Sequence, residues 1–303
     1  MAERTYRSRE HHGLREIVSQ FIAEHRLIIE YASFGIAGPV INGRVKTSNL
    51  PWVVDAREIA QDLGLDTTGL LNDLEANAYG IDALTAGDLA VLNEGAPDAV
   101  GNVAVISAGT GLGEAGLYWD GRHHRPFATE GGHADFAPRD ETEIELLRYL
   151  LRFHEHVSYE RVLSGPGLQN IYAFLRDTGR AVEKAAVVEQ MGSADPAAVI
   201  CAAALDGSCA LSARSLELFV SIYGAAAGNL ALKVMATGGV YIGGGIAPKI
   251  LEKLQTGQFM DAFTAKGRFK PLCAAIPVRV VLNPGTALLG AARYAALQAS
   301  LLS

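Results

Sequence analysis

Glu130 and His133 flank Gly131-Gly132 within Glu130-Gly131-Gly132-His133-Ala134-Asp135-Phe136. A carboxylate accepts hydrogen bonds, and a neutral imidazole both donates and accepts. A tight turn carrying both suits the hydroxyls of a polyhydroxylated small molecule. The competing reading is a structural turn with a surface glutamate. Asp73 follows Asn72 where a strand runs into a helix. An aspartate there could take a proton from an attacking hydroxyl, with Asn72 as a fixed hydrogen-bonding neighbour. Its plainer role is a helix N-cap, which Asx residues favour. Glu160 precedes Arg161-Val162-Leu163-Ser164-Gly165-Pro166-Gly167. Taken alone it reads as a solvated glutamate at a helix start.

Two glycine-rich segments complete the set. Gly109-Thr110-Gly111-Leu112-Gly113 follows the apolar strand Val103–Ile106. Glycines let backbone N–H groups approach anionic oxygens without a Cβ in the way. A hairpin follows, not a helix, so neither a dinucleotide fingerprint nor a P-loop is present. A tight β-turn is the alternative. Gly238-Gly239-Val240-Tyr241-Ile242-Gly243-Gly244-Gly245 is a strand ending in three glycines before a helix. That suits a flat base or a ribose laid against backbone. Close helix–strand packing would use the same residues.

The elements that must position these groups alternate between strand and helix in two places, so the class is α/β with two lobes. Leu14, Ile17, Val18, Phe21 and Ile22 predict a helix over Gly13–His25. Leu27–Ala37 reads as a buried strand, Asn42-Gly43 as a hairpin turn and Ser48–Trp52 as a loop. Asp55-Ala56-Arg57-Glu58 opens a helix that stops near Gly64. A strand over Leu65–Leu71 leads to a helix over Leu74–Leu84, and Gly95–Gly101 is a turn-rich linker. Leu117–Trp119 with Asp120-Gly121 starts a hairpin. Beyond Glu141, helices are expected at 141–155, 158–163, 167–177, 195–206, 209–236 and 248–255, with a terminal helix from Gly285 to Leu301. Val278–Leu282 is the last strand. The boundary is placed near residue 101: a small first lobe, 1–100, and a large second lobe, 101–303. The terminal helix is expected to pack back onto the first.

Composition narrows the function. The chain has 303 residues, 49% hydrophobic and 19% charged, with a net charge of -7. That excludes disorder and argues against nucleic-acid binding, which rewards clustered Lys and Arg. No apolar run reaches the roughly 20 residues that span a membrane, and no signal core opens the chain, so a cytoplasmic protein without membrane partners is expected. Cys201, Cys209 and Cys273 are scattered and read as small buried hydrophobes. His11-His12 and His123-His124 lack metal-binding spacing. No metal ligands are assigned.

These segments together resemble bacterial glucokinase of the non-zinc type, in the actin/hexokinase/Hsp70 ATPase superfamily. The likeness runs from about Thr5 to the C-terminus. It is most specific in Glu-Gly-Gly-His-x-Asp-Phe and Arg-Val-Leu-Ser-Gly-Pro-Gly-Leu, and extends to Leu50-Pro51-Trp52, Leu71-Asn72-Asp73 and Asn283-Pro284-Gly285. The resemblance implies a ribonuclease-H-like, actin-like ATPase fold with the sugar in a cleft. It implies phosphorylation of D-glucose by ATP with Mg²⁺, and a homodimer. Asp73 then matches the catalytic base, and Asn72, Glu130, His133 and Glu160 match sugar ligands. Gly109, Thr110, Gly111 and Gly113 match the second phosphate loop; Gly243, Gly244 and Gly245 match the adenosine segment. The related zinc-binding sugar kinases are disfavoured because no cysteines cluster.

One departure stands out. The family opens with a phosphate-1 loop, Asp-x-Gly-Gly-Thr-Asn, whose aspartate helps hold Mg²⁺. No Asp-x-Gly-x-Thr occurs in these 303 residues. The first lobe is therefore expected to be truncated, with an uncovered sheet edge. A start codon set too late or a shortened chain would explain this. The alternative is a catalytically inactive sugar-binding or regulatory protein. A repressor would need a DNA-binding helix pair, for which the sequence offers no pattern.

Overall fold

A computed structural model describes residues 2–47 and 50–302. Ser48 and Asn49 of the expected loop lie outside the described residues. The chain forms two compact units, Met1–Thr85 with Gly285–Ser303, and Ala86–Pro284.

The first unit holds four short strands: β1 (Ser33–Ile36), β2 (Arg44–Lys46), β3 (Val53–Asp55) and β4 (Gly69–Asn72). β1 and β4 pair in parallel, with Ser33 opposite Gly69 and Ile36 opposite Asn72. β2 and β3 pair antiparallel. The strand expected over 27–37 contracts to four residues. A strand needs a partner, and β4 offers only four positions; Ile28 is 97% exposed. Asn42 and Gly43 take positive φ, 52° and 74°, as a type I′ turn requires. The turn closes only one bridge, Ile41 to Arg44. Pro39 has no N–H to extend that ladder, and Arg44–Lys46 pairs with β3 instead. Helix Ala56–Leu63 begins where the Asp55 side chain accepts from the N–H groups of Arg57 and Glu58, and ends at Gly64 with φ 68°.

The terminal helix, Thr286–Leu302, lies along helix Asp73–Ile81 within this unit. Their backbones nearly touch. A Cβ on Gly290 would sit 1.8 Å from the Ala76 oxygen, and one on Gly80 would sit 2.2 Å from the Thr286 oxygen. The approach fixes the helix that carries Asp73.

The second unit is built on one six-stranded sheet, in the order β5-β10-β9-β6-β7-β8. The strands are β5 (Leu89–Asn93), β6 (Val103–Ala108), β7 (Leu112–Trp119), β8 (His124–Ala128), β9 (Gly239–Gly243) and β10 (Val278–Val281). β9 runs parallel to both β6 and β10, while β6, β7 and β8 form an antiparallel meander. β5 pairs antiparallel with β10, so residues 86–100 belong to this unit. The division therefore falls at 85/86, not near 101. Helix Ala210–Val234 is long and apolar enough to cross a membrane by length and composition, but 72% of its apolar window is buried in this core, including Phe219 and Tyr223. Three short helices, Ala185–Met191, Gln258–Thr264 and Lys270–Ala274, have no counterpart among the expected elements. The helix expected at 141–155 ends at Leu150, and that at 158–163 is one 3₁₀ turn, Tyr159–Arg161.

Candidate active site

Both glycine segments sit at the carboxyl ends of neighbouring parallel strands. Ser107 of β6 lies opposite Gly243 of β9. Gly109-Thr110-Gly111 forms the tip of the β6–β7 hairpin. The Gly109 N–H donates to the Gly111 oxygen at 2.8 Å, and the Gly109 oxygen accepts from the Gly165 N–H at 2.8 Å. The Leu112 N–H donates to Glu160 Oε2 at 2.9 Å. That leaves the N–H groups of Thr110 and Gly111 without an acceptor among the described residues. Gly244 has φ 83°, and a Cβ there would meet the Ala108 oxygen at 2.2 Å. The second loop thus rests directly on the first. The Tyr223 hydroxyl lies 3.3 Å from the Ala108 nitrogen and 3.4 Å from the oxygens of Ile106 and Gly243. Burial drives its pKa upward. Gly113 and Gly243 are strand residues; Gly109, Thr110 and Gly245 line a cavity.

That cavity measures about 620 Å³, inside the range of small-molecule pockets. Ala198, Cys201 and Leu205 of helix Pro196–Leu205 form one wall, Gly245 and Ile246 another. Burial pushes the Cys201 thiol up to about 11, so it stays neutral and apolar. The N-terminus of helix Gly165–Asp177 also reaches the cavity through Gly165 and Pro166. Its dipole favours an anion there. Sequence reasoning missed this wall. The run Pro-Ala-Ala-Val-Ile-Cys-Ala-Ala-Ala-Leu is apolar on every face, so nothing marks the side that meets a ligand.

The turn after β8 carries the second constellation. The His133 N–H donates to the Glu130 oxygen at 3.0 Å, closing a 3₁₀ turn. Its glycines are required by contact: a Cβ on Gly132 would fall 1.9 Å from the Leu112 oxygen. Downstream, Phe136 N–H donates to Val157 O and Tyr159 N–H to Ala134 O, each at 2.9 Å. Those bonds bring Glu160 and His133 to one cavity of about 350 Å³, with His154, His156 and Arg161 on its wall. Glu130 and His133 are exposed, and Glu160 is half-buried. Among the described residues the side chains of Glu130 and His133 form no hydrogen bond, which leaves both open to a ligand. The two histidines went unnoticed in the sequence, because His154-Glu155-His156 is a polar run with no motif spacing, while Arg161 was seen only as the start of its motif.

Beneath the turn lies Glu114, 6% exposed, with Oε2 2.0 Å from where a Gly131 Cβ would be. Burial holds its carboxyl above the usual range, partly offset by the Lys233 charge. A raised folded-state pKa means that the folded protein holds this proton more tightly than the unfolded chain. Stability therefore falls as pH rises from the ordinary carboxylate value through the raised one. Glu114→Gln should melt higher than wild type near neutral pH, by about 2–4 °C for each kcal/mol of charge burial relieved. The gap should close in acid, where wild type is neutral too. Melting curves across that range check it.

In the first unit, Asn72 caps helix Asp73–Ile81. Its Oδ1 accepts from the Leu74 N–H at 2.9 Å, and its Nδ2 donates to the Gly38 oxygen at 3.0 Å. Capping thus falls to Asn72. Asp73 occupies the first helical position, where its Oδ1 also accepts from Leu74 N–H at 3.0 Å. The helix dipole there favours the ionised carboxylate. No group of three possible metal ligands gathers among the described residues.

The mixed sheet, with its two glycine loops at the ends of parallel strands, has the architecture of the actin-like ATPase fold. The glucokinase family's sequence model matches residues 1–298, and the chain belongs to that family. A glucokinase from Trichormus variabilis is 44% identical, over 97% of this chain and 90% of its own length. One from Yersinia pestis is 39% identical over 96% and 87%. Among solved structures, a glucokinase from an Antarctic psychrotroph superposes with TM-score 0.85 at 30% identity, covering 97% of this chain and 89% of the other. At 21% identity and TM-score 0.63, a ROK-family glucokinase from Streptomyces griseus, solved with glucose and AMPPNP, shares the fold over 94% of this chain and 88% of its own.

Proposed function

We propose that this chain transfers the γ-phosphoryl group of ATP to the 6-hydroxyl of D-glucose. The observation that carries the reading is the pairing of two open loop amides, at Thr110 and Gly111, with an apolar cavity of about 620 Å³ beside them. The cavity wall at Ala198, Cys201 and Ile246 suits a purine face. The Thr110 and Gly111 N–H groups, with the helix end at Gly165, suit its phosphates. The hexose is assigned to Glu130, His133 and Glu160, whose mixed donors and acceptors match sugar hydroxyls, with Asn72 as a further ligand. Asp73 accepts the proton of the attacking hydroxyl as the phosphoryl group moves in line.

Mg²⁺ is assigned to the nucleotide's phosphates. The described residues offer it no cage, and Mg²⁺ is commonly bound through substrate phosphates and its own waters. When bound it neutralises phosphate charge.

Glucose-dependent formation of ADP, followed in a coupled assay, is the direct test. Filling the cavity separates the two halves. Cys201→Phe should raise the KM for ATP by about tenfold or more, because overpacking a wall costs about 1–3 kcal/mol. Glucose binding without nucleotide should stay as in wild type. Unchanged ATP kinetics in that variant would move the nucleotide elsewhere.

A further inference from the structure

Glu160 serves two places at once. Its Oε2 accepts from the Leu112 N–H, the amide that ends the glycine loop, at 2.9 Å. The same side chain lines the cavity it shares with His133. A methyl on Gly111 would approach Glu160 Oε2 to 2.5 Å. No side chain at 111 fits while that bond is made, so the glycine is there for the glutamate as much as for phosphate.

We propose that Glu160 is a positioning residue for the phosphate loop as well as a hexose contact, so that hexose and nucleotide binding are coupled through one carboxylate. The proposal rests on the glucose and ATP reading of the two cavities. A carboxylate offers about four acceptor sites on two oxygens. Oε2 uses one on Leu112, and Oε1 is left for a sugar hydroxyl. Without hexose the side chain is held from one side only. A hydroxyl donating to Oε1 fixes the carboxylate plane and keeps Oε2 on Leu112. Leu112 adjoins Gly111, so the open amides of Thr110 and Gly111 are set in the same stroke. Hexose then strengthens the phosphate grip, and nucleotide on the loop strengthens hexose binding by the same factor, because coupling between two binding sites is reciprocal.

Calorimetric titration of the full chain tests this, with glucose and AMPPNP each measured alone and in the presence of the other. In wild type each ligand should tighten the other by about fivefold or more, the lower range of such couplings. Gly111→Ala lies on the nucleotide loop and does not line the hexose cavity. It should nevertheless weaken glucose by about tenfold or more, the cost of displacing a charge-assisted hydrogen bond, and the coupling factor should fall to one. Glucose binding at wild-type strength in Gly111→Ala overturns the proposal. Glu160 variants supply the second arm. Glu160→Gln keeps an oxygen for the Leu112 N–H and should retain part of the coupling while glucose weakens. Glu160→Ala should lose both, and full coupling in that variant also overturns the proposal. If wild type binds both ligands without mutual effect, the coupling fails and the glucose and ATP reading stands. If wild type binds no glucose, that reading fails first and the coupling with it.

Discussion

Asp73→Ala should lower kcat for glucose phosphorylation by about 10²–10⁴-fold, the range that a positioned general base contributes, with glucose affinity held near wild type. Asp73 is the first residue of Asp73–Ile81, and the cap is made by Asn72, not by Asp73. Removing the aspartate therefore leaves the N-cap bond to Leu74 in place. The stability loss should include the carboxylate's interaction with the helix dipole, about 0.3–1 kcal/mol, and its hydrogen bond from the Leu74 N–H. Contact with helix Thr286–Leu302 includes the close backbone approach at Ala76, Gly80 and Gly290 and the packing of Tyr79 on Tyr294. A folded variant with intact sugar binding and little turnover is the expected phenotype. Asp73→Asn sharpens the test, because it keeps the shape and an acceptor oxygen but cannot take the proton, and it should be nearly as slow as alanine. Steady-state kinetics beside glucose titration read both quantities. Near-normal turnover in either variant would remove Asp73 from the role of base.

How far the sequence alone could reach is visible in particular residues. Helix periodicity and caps are local, so Leu14–His25 and Ala56–Leu63 emerged within a residue or two. β5 is non-local: Leu89–Asn93 becomes a strand only because Val278–Val281, far along the chain, lies beside it. Leaving it unread pulled the division of the chain from 85/86 to near 101. Helices of five to seven residues, such as Lys270–Ala274, carry too few turns for a periodic signal and depend on packing. Glu130 and His133 stood out as candidates because they bracket a pair of glycines. Glu160 was the weakest candidate by its neighbours. Its importance comes from a backbone N–H at Leu112 on another element, a contact that no spacing rule encodes.

The glycine loops give the second large expectation, since neighbouring glycines should behave in opposite ways. Gly244→Ala should destabilise the protein by about 2–6 kcal/mol and abolish nucleotide binding. A positive φ of 83° strains any L side chain, at about 1–3 kcal/mol. The added methyl also meets backbone it cannot displace cheaply, with the Ala108 oxygen at 2.2 Å, carbon at 2.8 Å and nitrogen at 2.9 Å; such overpacking adds about 1–3 kcal/mol. Relief requires β6 and β9 to part at the place where Ile246 N–H donates to Ala108 O, moving Gly109 and Thr110 with them. Gly245 is different. Nothing lies within 4 Å of a Cβ built there, its φ is not in the left-handed region, and it lines the 620 Å³ cavity. If its bare backbone exists to meet a nucleotide, Gly245→Ala should melt with wild type and still bind AMPPNP more weakly, by about tenfold for a contact worth 1.4 kcal/mol. Thermal melts and nucleotide titrations on the two variants separate a glycine kept for the fold from one kept for the ligand. Wild-type nucleotide affinity in Gly245→Ala would assign that cavity to something other than ATP.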